Sequence, residues 1–202
     1  MITHILFDLG GVVLDVEKEQ IFIELAQATG LDSSLIADCL VRDEAFWAHF
    51  ASREHTVPEV VAWVNSRLDT TLSPEVVEAA FNAELGPPID TTVQVLPILK
   101  SNFSIGCLSN TNSIHWNALL RDYEMMHLFE HRFASQQLGC AKPNPAIYRR
   151  VEKLLNVSPR QILFFDDRAE NIESAQMLGW HARLYQNYES LRKDLVEWGA
   201  VV

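Results

Sequence analysis

Three apolar runs in this chain each stop on a side chain that can bind a metal ion or a phosphate. Asp8 follows "ILF", Ser109-Asn110 follows "IGCL", and Asp166-Asp167 follows "ILFF". A fourth polar point, Lys142 in "GCAKPNP", stands just before a helix start. Singly, each has an ordinary reading: an acid after a strand solvates a turn, Ser-Asn opens a helix, and a lone lysine is a solvated charge. Gathered at one sheet edge they mean more. Three carboxylates side by side repel one another unless a cation lies among them. Oxygen-only ligands favour a hard ion, Mg2+ above the others, and Mg2+ in turn favours phosphate as the substrate group. The Lys142 ammonium and the Ser109 hydroxyl are then suited to donate to phosphate oxygens.

A parallel sheet would do the gathering. "HILF" (4–7), "FSIGCL" (103–108), "RFA" (132–134), "ILFF" (162–165) and "HARLY" (181–185) run apolar more than they alternate, which predicts buried parallel strands. Helical patterns separate the later ones. Asn144-Pro145 reads as N-cap and first helical residue, with Ile147, Val151, Leu154 and Leu155 on one face. Residues 168–178 read as a helix stopped by Gly179. This alternation predicts a doubly wound parallel α/β sheet, whose ligands sit beyond the carboxyl ends of the strands.

Residues 16–87 carry helix signals and no convincing strand. Thr56-Val57-Pro58-Glu59 has the form of a capping box, and Ser73-Pro74-Glu75 opens a further helix with Val77, Ala80, Phe81 and Leu85 as its stripe. "LGPPID" (85–90) then returns the chain to the core, and Pro97 is expected to kink the helix that follows. A helical insertion after the first strand is the expectation.

"FDLGGVV", "CLSNTN", "AKPNPAIY" and "FFDDRAENIESAQMLG" resemble, in order, the four motifs of the haloacid dehalogenase-like hydrolase superfamily. The helical insertion falls where that family has its type 1 cap, and the motif details look most like the bacterial alpha-D-glucose-1-phosphate phosphatase group. The resemblance implies a Rossmann-like core (1–15 and 88–202) with an inserted helical cap (16–87). It also implies a Mg2+-dependent phosphatase acting on a small phosphorylated metabolite, a hexose 1-phosphate first. Asp8 would be the nucleophile. Asp8, Asp166, Asp167 and the Gly10 backbone carbonyl would hold Mg2+, with Asn171 supporting the ligands. Ser109 and the Asn110 N–H would hold the phosphoryl group, and Lys142 would neutralise it and Asp8.

Most phosphatases of that superfamily carry an acid two residues after the nucleophile, where this chain has Gly10. Such an acid protonates the leaving oxygen and later deprotonates water. Three readings follow from its loss. In one, the leaving group is an acidic anomeric hydroxyl that needs little help; in another, a different side chain, His115 or Asp15, moves the proton; in the third, the protein binds or regulates with weak turnover. For His115 an exposed helix position, and for Asp15 a turn, is the expected role. A haloacid dehalogenase would also use the Asp nucleophile, but it has no use for the tandem acids.

The formal charge of −11 argues against nucleic acid or an anionic membrane as partner, and no protein partner is evident. Three scattered cysteines, Cys39, Cys107 and Cys140, fit a reducing cytosol, hence a cytoplasmic location. The start has no basic n-region and Asp8 interrupts its apolar run, so no signal peptide is expected; nor is a membrane span. His127, His131 and Cys140 lack a fourth partner at zinc spacing and are expected to be structural. Phe46, Trp47 and His49 fall in the helical insertion as candidates for a substrate-facing wall.

Overall fold

The computed structural model describes residues 1–41 and 50–200. Its strands are β1 (His4–Phe7), β2 (Leu14–Val16), β3 (Leu85–Pro88), β4 (Ser104–Ser109), β5 (His131–Ala134), β6 (Ile162–Asp166) and β7 (His181–Leu184). The helices whose two ends are both described, up to the third strand, are α1 (Gln20–Thr29), α2 (Ser33–Val41), α3 (Val57–Leu68) and α4 (Pro74–Asn82). After it come α5 (Asp90–Leu99), α6 (Ser113–Asp122), α7 (Ser135–Leu138), α8 (Pro145–Leu155), α9 (Ala169–Met177) and α10 (Tyr188–Glu197).

Five strands form one parallel sheet in the order β5-β4-β1-β6-β7. Alternation along β1 explains its unbroken apolar run. Ile5 and Phe7 join a core with Leu96, Leu119 and Leu191, whereas Leu6 joins a second with Ile147, Tyr148 and Trp180. A strand covered on both faces has no polar side to show. Phe7 pairs with Cys107 on one flank and Phe165 on the other, so Asp8, Leu108 and Asp166 leave the sheet level with one another. Register alone thus sets Asp8 and Asp166 at one edge.

The expected caps are present. Asn144 accepts from the Ala146 N–H ahead of α8, the Thr56–Glu59 capping box opens α3, and Gly179 follows α9 at φ +91°. Leu154 departs from the expected stripe: it is exposed on α8, whose buried face is Ile147, Tyr148 and Val151. Pro97 lies in the last turn of α5, which continues to Leu99.

Helices α1 to α4 bury their own apolar cluster, which includes Leu25, Leu40, Val64 and Phe81 and takes in Ile114 from α6. The expectation of no strand in this stretch is corrected by β2 and β3, an antiparallel ribbon pairing Leu14 with Pro88 and Val16 with Leu85. Both ends of the helical segment therefore leave and enter through one narrow ribbon. Phe46, Trp47 and His49 lie outside the described residues.

Candidate active site at the carboxyl edge of the sheet

Lys142 is the centre of the cluster. Its Nζ lies 2.6 Å from Asp166 Oδ2, 2.9 Å from Asp8 Oδ2 and 2.8 Å from the Leu108 carbonyl. The three ammonium hydrogens are thereby all committed, so reaching a phosphate oxygen would require sharing or exchanging one. The lysine is placed by a reciprocal pair: its N–H donates to Asn110 Oδ1 and its carbonyl accepts from Asn110 Nδ2, both at 2.8 Å. The Asn110 side chain thus ties the Lys142 loop to the end of β4.

Asp166 is fully buried and held from four directions. Besides Lys142 it accepts from the Arg168 N–H at 2.9 Å and from Asn171 Nδ2 at 2.8 Å, and its own carbonyl accepts from the Tyr185 N–H. Asn171 is positioned in turn by Tyr148, whose hydroxyl donates to the Asn171 carbonyl at 2.9 Å. Asn171 Oδ1 is buried with no hydrogen-bond partner among the described residues. That acceptor is suited to the water of a hydrated cation.

The electrostatics of the cluster favour the approach of a cation. Burial pushes the Asp8 carboxyl up to about 7, with Lys142 opposing and Asp166 adding to the rise. Burial, then the Asp166 charge, also raises Asp167. Burial works against the Lys142 charge, but Asp8 and Asp166 outweigh it and hold the ammonium above its ordinary value. One lysine does not offset three acids. Asp8, Asp166 and Asp167 each offer an oxygen within 4.8 Å of the others, an arrangement that fits a small divalent ion. Gly11 makes room for it: at φ +75°, a Cβ here would stand 2.6 Å from Asp167 Oδ2.

Beside this cluster, Gly10, Ser109 and Asn110 line a cavity of about 110 Å3 together with Glu84, Leu85 and His115. A wider groove of about 750 Å3 runs along the ribbon past Glu17, Asp90, Asp122 and Glu124; its acids would repel a phosphate. His115 is not the exposed residue expected. It is largely buried, contacts Phe81 O at 2.8 Å through Nε2 and Asn112 Nδ2 at 3.1 Å through Nδ1, and burial lowers its pKa to about 4. Asp15 is exposed on β2. His131 contacts Ser104 and the His4 ring, and Cys140 is buried against Leu138 O, so neither joins a metal-type cluster among the described residues.

The description "haloacid dehalogenase-like hydrolase" matches residues 2–179. The chain belongs to that family. Among relatives of this haloacid dehalogenase-like hydrolase, a D-ribitol-5-phosphate phosphatase of Bacteroides thetaiotaomicron is 28% identical, covering 96% of this chain and 97% of that protein. Phosphatase MT3486 of Mycobacterium tuberculosis is 31% identical over 108 residues, where the match covers 51% of this chain and about half (50%) of the relative. A Bacteroides thetaiotaomicron enzyme of the family, solved with magnesium and inorganic phosphate, superposes with TM-score 0.82 at 24% identity, covering 92% of this chain and 95% of that one. The L-2-haloacid dehalogenase of Xanthobacter autotrophicus shares the fold more loosely, at TM-score 0.68 and 18% identity over 100% of this chain and 85% of that one. Among the described residues no helix is long and apolar enough to cross a membrane.

Proposed function

We propose that this hydrolase is a cytosolic, Mg2+-dependent phosphatase of small phosphorylated metabolites. The observation that carries the reading is the meeting of Asp8, Lys142, Asp166 and Asp167 at one sheet edge, beside the Ser109 cavity. Asp8 is the nucleophile: one carboxylate oxygen attacks phosphorus in line while the bond to the leaving oxygen breaks, and water then hydrolyses the aspartyl-phosphate. Lys142 favours the charged form of Asp8 that this attack needs. Ser109 and the Asn110 N–H hold the transferred phosphoryl group. Asp8, Asp166, Asp167 and the Gly10 carbonyl hold Mg2+, which when bound screens the charge gathered on the acids and the phosphoryl oxygens. Asn171 orients Asp166.

The tandem acids favour this reading over halide displacement, which has no need of a cation. Residues 16–87 act as a helical cap on a core of 1–15 and 88–202, shielding the phosphoaspartate from bulk water. The substrate is a small sugar or polyol phosphate, a class to which the ribitol-phosphate phosphatase relative lends support. A hexose 1-phosphate asks least of motif I, because an anomeric hydroxyl is a better leaving group than an ordinary alcohol.

The test is phosphate release from an aryl phosphate and a metabolite panel, with Mg2+ and then with EDTA. Asp8→Asn should abolish release while the melting curve stays cooperative, and EDTA should do the same to the wild type. Full activity in Asp8→Asn overturns the nucleophile assignment. Ligand binding without release from any substrate would make the protein a binding module instead.

A further inference from the structure

Motif I has no side chain at Gly10 to transfer a proton, and a side chain added there would have to displace Val16. A Cβ on Gly10 would stand 2.8 Å from Val16 Cγ2, so Val16 of β2 occupies the room that such a side chain needs. The cavity that Gly10, Ser109 and Asn110 line is also lined by Glu84, Leu85 and His115. Among the described residues lining it, only Glu84 and His115 can exchange a proton at ordinary pH.

His115 is excluded by its hydrogen bonds. Nε2–H donates to the Phe81 carbonyl, which leaves Nδ1 as the acceptor for Asn112 Nδ2. Both ring nitrogens are committed in the neutral form. Glu84 differs: its side chain is 23% exposed, and His115 Nε2, 3.7 Å from its carboxylate, is already engaged with Phe81. The residue itself is fixed, since its N–H donates to Phe81 O and its carbonyl accepts from the Glu17 N–H. A carboxyl on a fixed backbone therefore borders the space into which a leaving group would extend from a phosphoryl held at Ser109.

We propose that Glu84 is the acid and base that Gly10 cannot be, a role that rests on the phosphatase reading above. As Asp8 bonds to phosphorus, the P–O bond to the leaving group breaks and its electron pair takes the Glu84 proton, releasing a neutral alcohol. The resulting carboxylate then accepts a proton from the water that attacks the aspartyl-phosphate, and the protonated acid is restored. Burial favours the starting state by raising the Glu84 carboxyl above its ordinary value, with Lys18 opposing. With this residue in place the substrate range extends from anomeric phosphates to esters of ordinary alcohols.

The experiment compares kcat/KM for a series of phosphomonoesters, from aryl to alkyl leaving groups, in wild type, Glu84→Gln and Glu84→Asp, all with Mg2+. In Glu84→Gln the loss should grow with leaving-group pKa, reaching about 10²–10⁴-fold for an alkyl phosphate. Glu84→Asp, which keeps an acid, should recover part of the loss at the alkyl end. A loss equal across the series, or none for alkyl esters, overturns the proposal. Should Glu84→Gln fail to fold, Glu84→Asp is read alone: a deficit that does not steepen toward alkyl esters overturns it equally. Wild type inactive on every ester instead overturns the phosphatase reading, and this proposal with it.

Discussion

Gly11 shows how closely single residues are bound to the acid cluster. Its φ of +75° lies in the left-handed region, and its missing Cβ leaves the space that Asp167 Oδ2 uses. Gly11→Ala therefore carries two penalties: backbone strain of about 1–2 kcal/mol, and displacement of a carboxylate offered to the cation. Gly30 has the same φ with nothing within 4 Å, so Gly30→Ala carries only the first. Both variants should melt lower, Gly11→Ala by at least as much as Gly30→Ala. Gly11→Ala alone should need more Mg2+ for half-maximal turnover, on the order of 10–100-fold, the scale of losing a group that orients a ligand. Equal Mg2+ titrations for the two variants would refute the link between Gly11 and the metal site. Nothing in "DLGGVV" marks Gly11 for this contact by eye, because the Asp167 carboxylate that it meets comes from a strand end more than 150 residues away.

Elements are where reading from sequence worked best and where its failures have clear causes. The five parallel strands were legible because burial on both faces demands an apolar run; Asp8, Asp166 and Asp167 were legible because they end such runs, and Lys142 because it stands just before a capped helix. The ribbon was not: β2 is three residues long, and β3 reads "LGPP", whose prolines speak against a strand. Glu84, in "FNAELG", looks like a solvated helix end until α6 brings His115 against it. That contact joins the helical segment to the core, since Phe81 closes α4 while His115 sits in the first turn of α6. It is also pH-sensitive. The folded pKa of His115, lowered by burial to about 4, lies below its ordinary 6.5, so the unfolded chain binds more protons between those values. Its stabilisation is complete above pH 6.5 and is lost as pH falls toward 4, by roughly 3 kcal/mol. Glu84, raised by burial, contributes with the opposite sign and is kept in both proteins compared. Wild type should lose about 6–12 °C more than His115→Gln between pH 7 and 4. Parallel melting curves for the two proteins would show that this histidine does not titrate on unfolding.

At the scale of the whole molecule, the fold holds a local surplus of negative charge inside a chain already at −11. The sheet forces the surplus: register aligns β1 with β6, and both end in acids. Replacing one member of a buried charge set leaves its partners uncompensated, at about 3–5 kcal/mol, so Lys142 should be necessary to folding as well as to the proposed chemistry. A divalent ion should relieve the remaining repulsion, and it can do so only in the folded state, because unfolding separates Asp8 from Asp166 and Asp167. Binding should therefore appear as stability. At a hundred times its dissociation constant, Mg2+ should add about 2.7 kcal/mol, or roughly 5–10 °C in melting temperature for a chain of this size. Asp167→Asn should lose most of that increment, because it removes one of the three carboxylates; without Mg2+ it should melt no lower than wild type, since it also removes repulsion against Asp166. Melting curves with millimolar Mg2+ and with EDTA decide it without reference to turnover. A wild-type midpoint indifferent to Mg2+ would mean that the acids are balanced by Lys142 and burial alone, and that the edge of this sheet is not a metal site.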